Sequence, residues 1–150
     1  PARLEAAKNL GADHGFLATE DIPARLRAVN DGRLADLVIV CTGAPPALQQ
    51  GLDSVDRGGT VLFFAPTEPG VNISVPVNDL FFRNDATLTT TYAGAPGDLA
   101  TALEMIGSGR VQVDQMISHR LGLEEAGLGF QLTAEAQSSL KVIIQPQKGP

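Results

Sequence analysis

Few side chains of this sequence have the chemistry for catalysis or metal binding. His14 and His119 lie far apart, and Cys41 is the only thiol, so no residues have the spacing of a metal site. Ser118 precedes His119, but neighbouring residues of a strand point to opposite faces, so we expect no nucleophile and base pair there. Free cysteines commonly pack in cores, and we expect Cys41 to do so. The sequence thus assigns no catalytic residue and no metal ligand to this chain.

Glycine loops that cradle phosphates are also not predicted. Residues 107–109 (Gly-Ser-Gly) and 127–129 (Gly-Leu-Gly) lack the third glycine of a dinucleotide fingerprint, and neither follows a buried strand. We interpret both as helix ends or packing sites.

A candidate ligand site remains where three predicted strands end. The residues at these strand ends are Cys41-Thr42-Gly43-Ala44, Phe64-Ala65-Pro66 and Thr91-Tyr92-Ala93. The carboxyl ends of parallel strands meet at one edge of a sheet, where open α/β sheets bind ligands. Apolar side chains and free backbone groups suit a flat ring or a ribose.

The first of these strands organises the elements around the site. Residues 36–41 contain an unbroken apolar, β-branched run, which predicts a central strand buried on both faces of a parallel sheet. Behind it, Thr42 can cap a helix and Pro45 can occupy its first turn. That helix carries Leu48, Leu52 and Val55 on one face and ends at 57–59 (Arg-Gly-Gly), before a strand at 60–65.

The remaining periodicities complete an α/β pattern. They predict helices at 3–10, 22–29, 99–106 and 123–132, a helical turn or two at 77–83, and strands at 14–18, 86–92, 117–121 and 140–144. This alternation of helices and strands predicts an α/β fold.

Composition excludes several classes of protein. A net charge of −6 without a cluster of Lys or Arg argues against a nucleic-acid surface, and no apolar run approaches the roughly 20 residues of a membrane span. One cysteine in 150 residues excludes an internal disulfide, so we expect a cytoplasmic location. The chain opens on Pro-Ala-Arg, inside a helical pattern and without a signal peptide, which predicts a fragment of something longer.

The order of these features resembles the medium-chain, zinc-type alcohol and polyol dehydrogenases. Each motif is weak alone, but the five together, in this order and spacing, are specific and extend along the whole chain. They are 3–13 (RLEAAKNLGAD), 35–43 (ADLVIVCTG), 57–61 (RGGTV), 117–121 (ISHRL) before 123–126 (LEEA), and 140–144 (LKVII).

The resemblance implies that residues 1–92 are the later part of a domain that binds NAD or NADP, and that 93–150 return to pack on a catalytic domain. The fold would be an incomplete Rossmann-type doubly wound sheet. Carried over by position, the cofactor-binding residues are Cys41, Thr42 and Gly43 for the ribose, Phe64, Ala65 and Pro66 for the nicotinamide face, Tyr92 for the carboxamide region, and Lys141 for the pyrophosphate. Lys141 supplies a point charge where some members use arginine, so no bidentate grip is expected.

The family's zinc ligands, proton relay and glycine loop all precede the position where this chain begins. The resemblance therefore implies an isolated chain that is inactive and binds no coenzyme tightly. The parent would oxidise a secondary alcohol or polyol with zinc and a nicotinamide coenzyme, and a zinc-free reductase of the same superfamily stays open.

In the strand order 3-2-1-4-5-6 of dinucleotide folds, the strands at 36–41, 60–65 and 86–91 are strands 4, 5 and 6, adjacent and parallel. The strand at 14–18 would be strand 3 without its neighbour, so we expect it to be detached, disordered or paired with another chain. Residues 86–91 form the outer edge and contain no Pro, Lys or Glu to discourage pairing, which predicts a homodimer. Such dehydrogenases commonly join two coenzyme domains at this edge.

Two other classes of protein remain open. Residues 36–59 also fit the later half of an S-adenosylmethionine methyltransferase, although that fold commonly ends in an antiparallel hairpin. A non-catalytic interaction module is the other alternative.

Overall fold

The computed structural model describes residues 2–147. The helices are α1 (Ala2–Asn9), α2 (Ile22–Val29), α3 (Pro45–Asp53), α4 (Pro96–Gly107) and α5 (Ala126–Glu135), and the strands are β1 (Ala35–Val40), β2 (Val55–Phe63), β3 (Thr87–Thr90), β4 (Ile117–Leu121) and β5 (Lys141–Ile144). Short helical turns occur at Asn78–Arg83, Asp114–Met116 and Leu123–Glu125. Among these residues, no helix is long and apolar enough to cross a membrane.

The described chain divides into two compact units. One is Phe16–Ala93, and the other combines the residues up to Gly15 with those from Gly94 onward. The first unit contains a three-stranded sheet in the order β1-β2-β3 with both pairs parallel. The α/β class and the predicted adjacency of the three strands are confirmed.

The core of this unit lies between the sheet and α3. Its buried side chains are Val40, Leu48, Leu52, Val55, Val61, Leu80 and Ala86. Val61 is fully buried at the centre of β2, and α3 packs on β1 and β2. Pro45 occupies the first turn of α3, as predicted.

The prediction that β1 is central and buried on both faces is wrong. β1 is an edge strand of the described sheet, and Leu37 and Ile39 are 57% and 51% exposed. Val38 and Val40 face α3, near Gly51. Since strand residues alternate between faces, Leu37 and Ile39 point away from that helix.

The crossover between β1 and β2 differs from its prediction at both ends. Ala44, which has no capping side chain, is the N-cap of α3, and Thr42 instead accepts a 3.3 Å hydrogen bond from the Ala44 amide. The helix ends at Asp53, so Val55 belongs to β2 rather than to the helix. Gly58 has a φ of +70° inside β2, where the register with β1 shifts. The Arg-Gly-Gly sequence therefore forms an irregularity of the strand rather than a helix end.

The predicted strand at 14–18 is absent, because these residues adopt no regular secondary structure. Strand geometry requires a hydrogen-bonded neighbour, and the neighbour expected for strand 3 is not among residues 2–147. The segment lies against α3, where the Gln50 amide donates a 3.4 Å hydrogen bond to the Ala18 carbonyl.

The second unit is built on β4 and β5, which are parallel, with α5 packed on both. Arg3 of α1 donates a 3.2 Å hydrogen bond to the carbonyl of Ala136, directly after α5. The predicted helices at 3–10 and 99–106 and the last two strands are confirmed, with ends that differ by a few residues.

At the amino end of the sheet, Asp56 joins the start of β1 to the irregular part of β2. Its carboxylate accepts hydrogen bonds from the Arg57 amide at 2.8 Å, the Leu34 amide at 3.1 Å and the Arg33 Nε at 3.2 Å. The bond from Arg57 contributes most to lowering the pKa of Asp56, with further lowering by Leu34 and Arg33, while desolvation raises it in part.

We expect Leu52→Ala to lower the free energy of unfolding by about 2–4 kcal/mol, because it leaves a cavity in the α3 face of the core. Leu99→Ala on α4 is the control, with an expected change within about 0.5 kcal/mol, since Leu99 is 64% exposed and Leu52 only 3%. Urea denaturation of both variants measures the difference, and equal losses would contradict this core.

Acid should reveal the role of Asp56. A carboxylate with a lowered folded pKa contributes stability above its unfolded pKa and loses that contribution as the pH falls through the folded value. We expect the stability of the unsubstituted chain to fall between about pH 5 and pH 3, and Asp56→Asn to flatten this fall. Denaturation series across pH measure it, with Asp13→Asn at an exposed position as control. Parallel profiles for Asp56→Asn and the unsubstituted chain would contradict the assignment.

Candidate functional site

The ends of β1, β2 and β3 form the candidate site, and hydrogen bonds keep them together beyond the last paired residues. The amides of Phe64 and Ala65 both donate to the Val40 carbonyl, at 3.0 and 3.3 Å. The Thr90 hydroxyl donates to the Phe63 carbonyl at 3.1 Å. The segments that follow the three strands are therefore positioned by the sheet itself.

A cavity of about 260 Å³ lies between the ends of β2 and β3. Its lining residues are Phe63, Phe64, Ala65, Pro66, Thr90, Thr91, Tyr92 and Ala93. The structure thus brings together the four predicted site residues Phe64, Ala65, Pro66 and Tyr92. Hydroxyls and backbone groups are the polar atoms of the lining, and none of the eight side chains is charged at neutral pH. The cavity suits an uncharged flat group.

The residues after β1 divide into two groups. Gly43 lies directly against the second strand end, since a Cβ on Gly43 would stand 2.2 Å from the Pro66 carbonyl oxygen. Cys41 and Thr42 instead line a separate cavity of about 370 Å³ beside α2, β1 and α3.

The prediction that Cys41 packs in the core is wrong, because its side chain is exposed. β1 ends at Val40, so Cys41 lies in the connecting segment that leaves the sheet. The apolar run of the sequence is one residue longer than the paired strand.

Lys141 is the first residue of β5, in the other compact unit, and its side chain is exposed. Its assignment to a coenzyme pyrophosphate stays a prediction.

Sequence reasoning did not assign Phe63 and Thr90 to the site. Phe63 and Thr90 are partners in the register of β2 and β3, a pairing that alternation within one strand cannot reveal. Ala93 has a φ of +58°, in the left-handed region that costs non-glycine residues roughly 1–2 kcal/mol. Backbone strain of this kind concentrates at ligand sites.

The adjacent Ser118 and His119 do contact each other, contrary to the prediction from strand alternation. His119 Nδ1 lies 3.0 Å from Ser118 Oγ, where the pairing of β4 shifts register between Ile117 and His119. Ser118 Oγ also accepts from the Leu140 amide at 3.0 Å and donates to the Lys141 carbonyl at 3.1 Å. The hydroxyl therefore joins β4 to β5, which is a structural use rather than that of an activated nucleophile.

Within residues 2–147, no group of three or more His, Cys, Asp and Glu side chains could hold a metal ion.

A family model described as zinc-binding dehydrogenase matches residues 1–108 of the chain. L-threonine 3-dehydrogenase of Bacillus licheniformis is 30% identical over 143 residues, covering 95% of this chain and 41% of that protein. The NDMA-dependent alcohol dehydrogenase of Amycolatopsis methanolica is 27% identical and covers 95% of this chain and 40% of its own length.

Solved structures of alcohol dehydrogenases also match this chain. An alcohol dehydrogenase from Thermotoga maritima has a TM-score of 0.85 at 25% identity, covering 98% of this chain and 41% of its own. Alcohol dehydrogenase TADH from Thermus sp. ATN1 has a TM-score of 0.78 at 28% identity, covering 97% and 42%. The chain spans about two fifths of the length of the relatives that it matches.

We expect Tyr92→Ala to change the free energy of unfolding by less than about 0.5 kcal/mol, because the Tyr92 side chain is 95% exposed. Val61→Ala on the adjacent strand should cost about 2 kcal/mol, since it removes two fully buried methyl groups. Thermal and urea denaturation test the pair. If Tyr92→Ala lowered the free energy of unfolding as much as Val61→Ala, the tyrosine would stabilise the fold rather than be available to a ligand.

Proposed function

This chain belongs to the zinc-binding dehydrogenase family, and from that premise we propose that it is the C-terminal part of an NAD(P)-dependent alcohol or polyol dehydrogenase. The whole protein would transfer a hydride between a secondary alcohol and nicotinamide. The observation that carries the proposal is the uncharged cavity of about 260 Å³ at the carboxyl ends of adjacent parallel strands, which is where dinucleotide folds bind their coenzyme.

The residues at this edge fit a nicotinamide coenzyme. Phe64, Pro66 and Tyr92 supply apolar surface for a flat ring, and the uncharged lining suits a neutral carboxamide. The coenzyme, when bound, supplies or accepts the hydride. The chain's own residues bind one face of the ring and exclude water from it.

The remaining cofactor-binding assignments belong to the same proposal. Cys41, Thr42 and Gly43 would lie along the ribose, and Lys141 would place a positive charge near the pyrophosphate. The division at residues 92 and 93, between the coenzyme domain and the segment returning to the catalytic domain, is also part of the proposal, as is a cytoplasmic location.

Zinc and the catalytic side chains would belong to the remainder of the whole protein. No described cluster in this chain fits a metal ion. We propose that the chain alone is catalytically inactive.

The two alternatives are less well supported. An S-adenosylmethionine methyltransferase commonly ends in an antiparallel hairpin, whereas β4 and β5 are parallel. A non-catalytic interaction module would not require an uncharged cavity at the carboxyl edge of the sheet.

Coenzyme titration of the chain tests the proposed function. We expect NADH or NADPH to bind no tighter than millimolar, because the glycine loop and helix N-terminus that hold a pyrophosphate lie outside this sequence. Chemical shifts should change at residues 63–66 and 90–93, and S-adenosylmethionine at the same concentration is the control. Micromolar affinity by calorimetry would show that the site is misplaced, and selective shifts with S-adenosylmethionine would favour the methyltransferase.

We propose further that β3 joins two copies of the protein. It is the outer strand of the described sheet on this side, and Thr87, Thr89 and Thr90 are exposed. Threonine favours strands and presents no charge against a second copy, so a two-fold contact between antiparallel edges would close on itself.

Thr89→Lys combined with Thr90→Pro should convert this dimer to a monomer, because the lysine adds like charges and the proline removes a donor. Size-exclusion chromatography with light scattering measures the mass. Thr89→Lys alone separates the effect of charge from any effect of proline on β2, and Thr19→Lys, in an exposed turn, is the control. An unchanged dimer in both β3 variants would place the interface elsewhere.

A further inference from the structure

We propose that Gly43 is a positioning residue, whose missing side chain sets the spacing of the two segments that form the coenzyme site. The segments are 41–44 after β1 and 64–67 after β2. This inference rests on the proposed function, because the spacing matters only if a ligand occupies the edge that these segments form.

The contact extends the strand pairing beyond the sheet. The last paired residues are Val40 and Phe63, and the Val40 carbonyl then accepts hydrogen bonds from the amides of Phe64 and Ala65. Three residues after Val40, Gly43 meets the carbonyl of Pro66. The two segments therefore stay in contact after the sheet has ended.

The space at Gly43 admits no side chain. A Cβ built there lies 2.2 Å from the Pro66 carbonyl oxygen, 3.1 Å from the Pro66 carbonyl carbon and 3.1 Å from Thr67 Cα. All three are backbone atoms, which cannot rotate away as the end of a side chain can. Any L-residue other than glycine must push the two segments apart.

Backbone conformation is not the reason for the glycine. Gly43 is absent from the glycines with positive φ, which include Gly32, Gly58 and Gly70. Alanine could therefore adopt its backbone angles without left-handed strain. The substitution Gly43→Ala therefore tests only the steric contact between residue 43 and the Pro66 peptide.

The expected displacement reaches the cavity. Ordinary contact between such atoms requires about 3.5 Å, so Gly43→Ala must move the Pro66 peptide by roughly 1 Å. Pro66 lines the cavity together with Phe64 and Tyr92. A shift of that size at a positioned site commonly costs on the order of a hundredfold in rate when it misplaces a reacting group.

Two glycines supply matched controls. A Cβ at Gly51 in α3 would lie 2.6 Å from Val40 Cγ2, which is a side-chain atom in the core. Gly51→Ala is therefore a steric insertion in the same unit that does not touch the segment 64–67. A Cβ at Gly97 would meet nothing within 4 Å, so Gly97→Ala controls for the substitution itself.

The experiment titrates the 150-residue chain and its three glycine-to-alanine variants with NADH, up to about 10 mM, and follows amide chemical shifts. We expect shift changes at residues 63–65 and 90–93 in the unsubstituted chain, in Gly51→Ala and in Gly97→Ala. Gly43→Ala should reduce them at least about fivefold while retaining dispersed, folded spectra. Urea denaturation of each variant records its stability separately.

The outcomes separate this inference from the proposed function. Equal NADH responses in Gly43→Ala and the unsubstituted chain overturn the positioning role and leave the function intact. Equal losses in Gly43→Ala and Gly51→Ala, at equal loss of stability, also overturn it. An unsubstituted chain that shows no NADH response at this edge overturns the placement of the coenzyme ring there, and the inference falls with it.

A second variant covers the case in which Gly43→Ala does not fold. Pro66→Gly releases the fixed φ of this residue and lets the crowded peptide turn away. The double variant Gly43→Ala with Pro66→Gly should fold and respond to NADH less than Pro66→Gly alone. Equal responses of these two variants would overturn the inference.

Discussion

The parallel pairing of β2 with strands on both sides is the interaction on which the rest of this unit depends. Val61 is fully buried at its centre, and the ladder fixes which residues of β1 and β3 lie beside it. Because all three strands run in one direction, their last residues reach one edge together. The candidate site needs no separate scaffold, since the cavity lining continues the same register that holds the core.

β1 and β2 were predictable from apolar runs between turn residues, and β3 from alternation and its threonines. Their order and direction followed from the strand order of dinucleotide folds. What could not be predicted depends on contacts between segments. The exposure of Leu37 and Ile39 depends on whether helices cover one face of β1 or both. An apolar run in the sequence does not distinguish these two cases. Val55 has the right spacing for the α3 face, yet pairing with Ala35 places it in β2.

Prediction of the site from sequence was limited in the same way. Phe64, Ala65, Pro66 and Tyr92 could be grouped from sequence because they lie at the carboxyl ends of two predicted parallel strands. The close approach of Gly43 to Pro66 is a distance between two loops, and no periodicity encodes it. Ser118 and His119 illustrate the reverse error, since an ideal alternation was assumed at a place where the ladder of β4 is irregular.

The open outer edge of β1 has a consequence for handling this protein. Leu37 to Val40 form an apolar, uncharged run that has a strand partner on one side only within residues 2–147. Leu37 and Ile39 of this run are exposed. Edges of this kind template the growth of intermolecular sheets. In concentrated solution, sheet growth at this edge competes with the folded chain, so its yield on refolding falls as protein concentration rises.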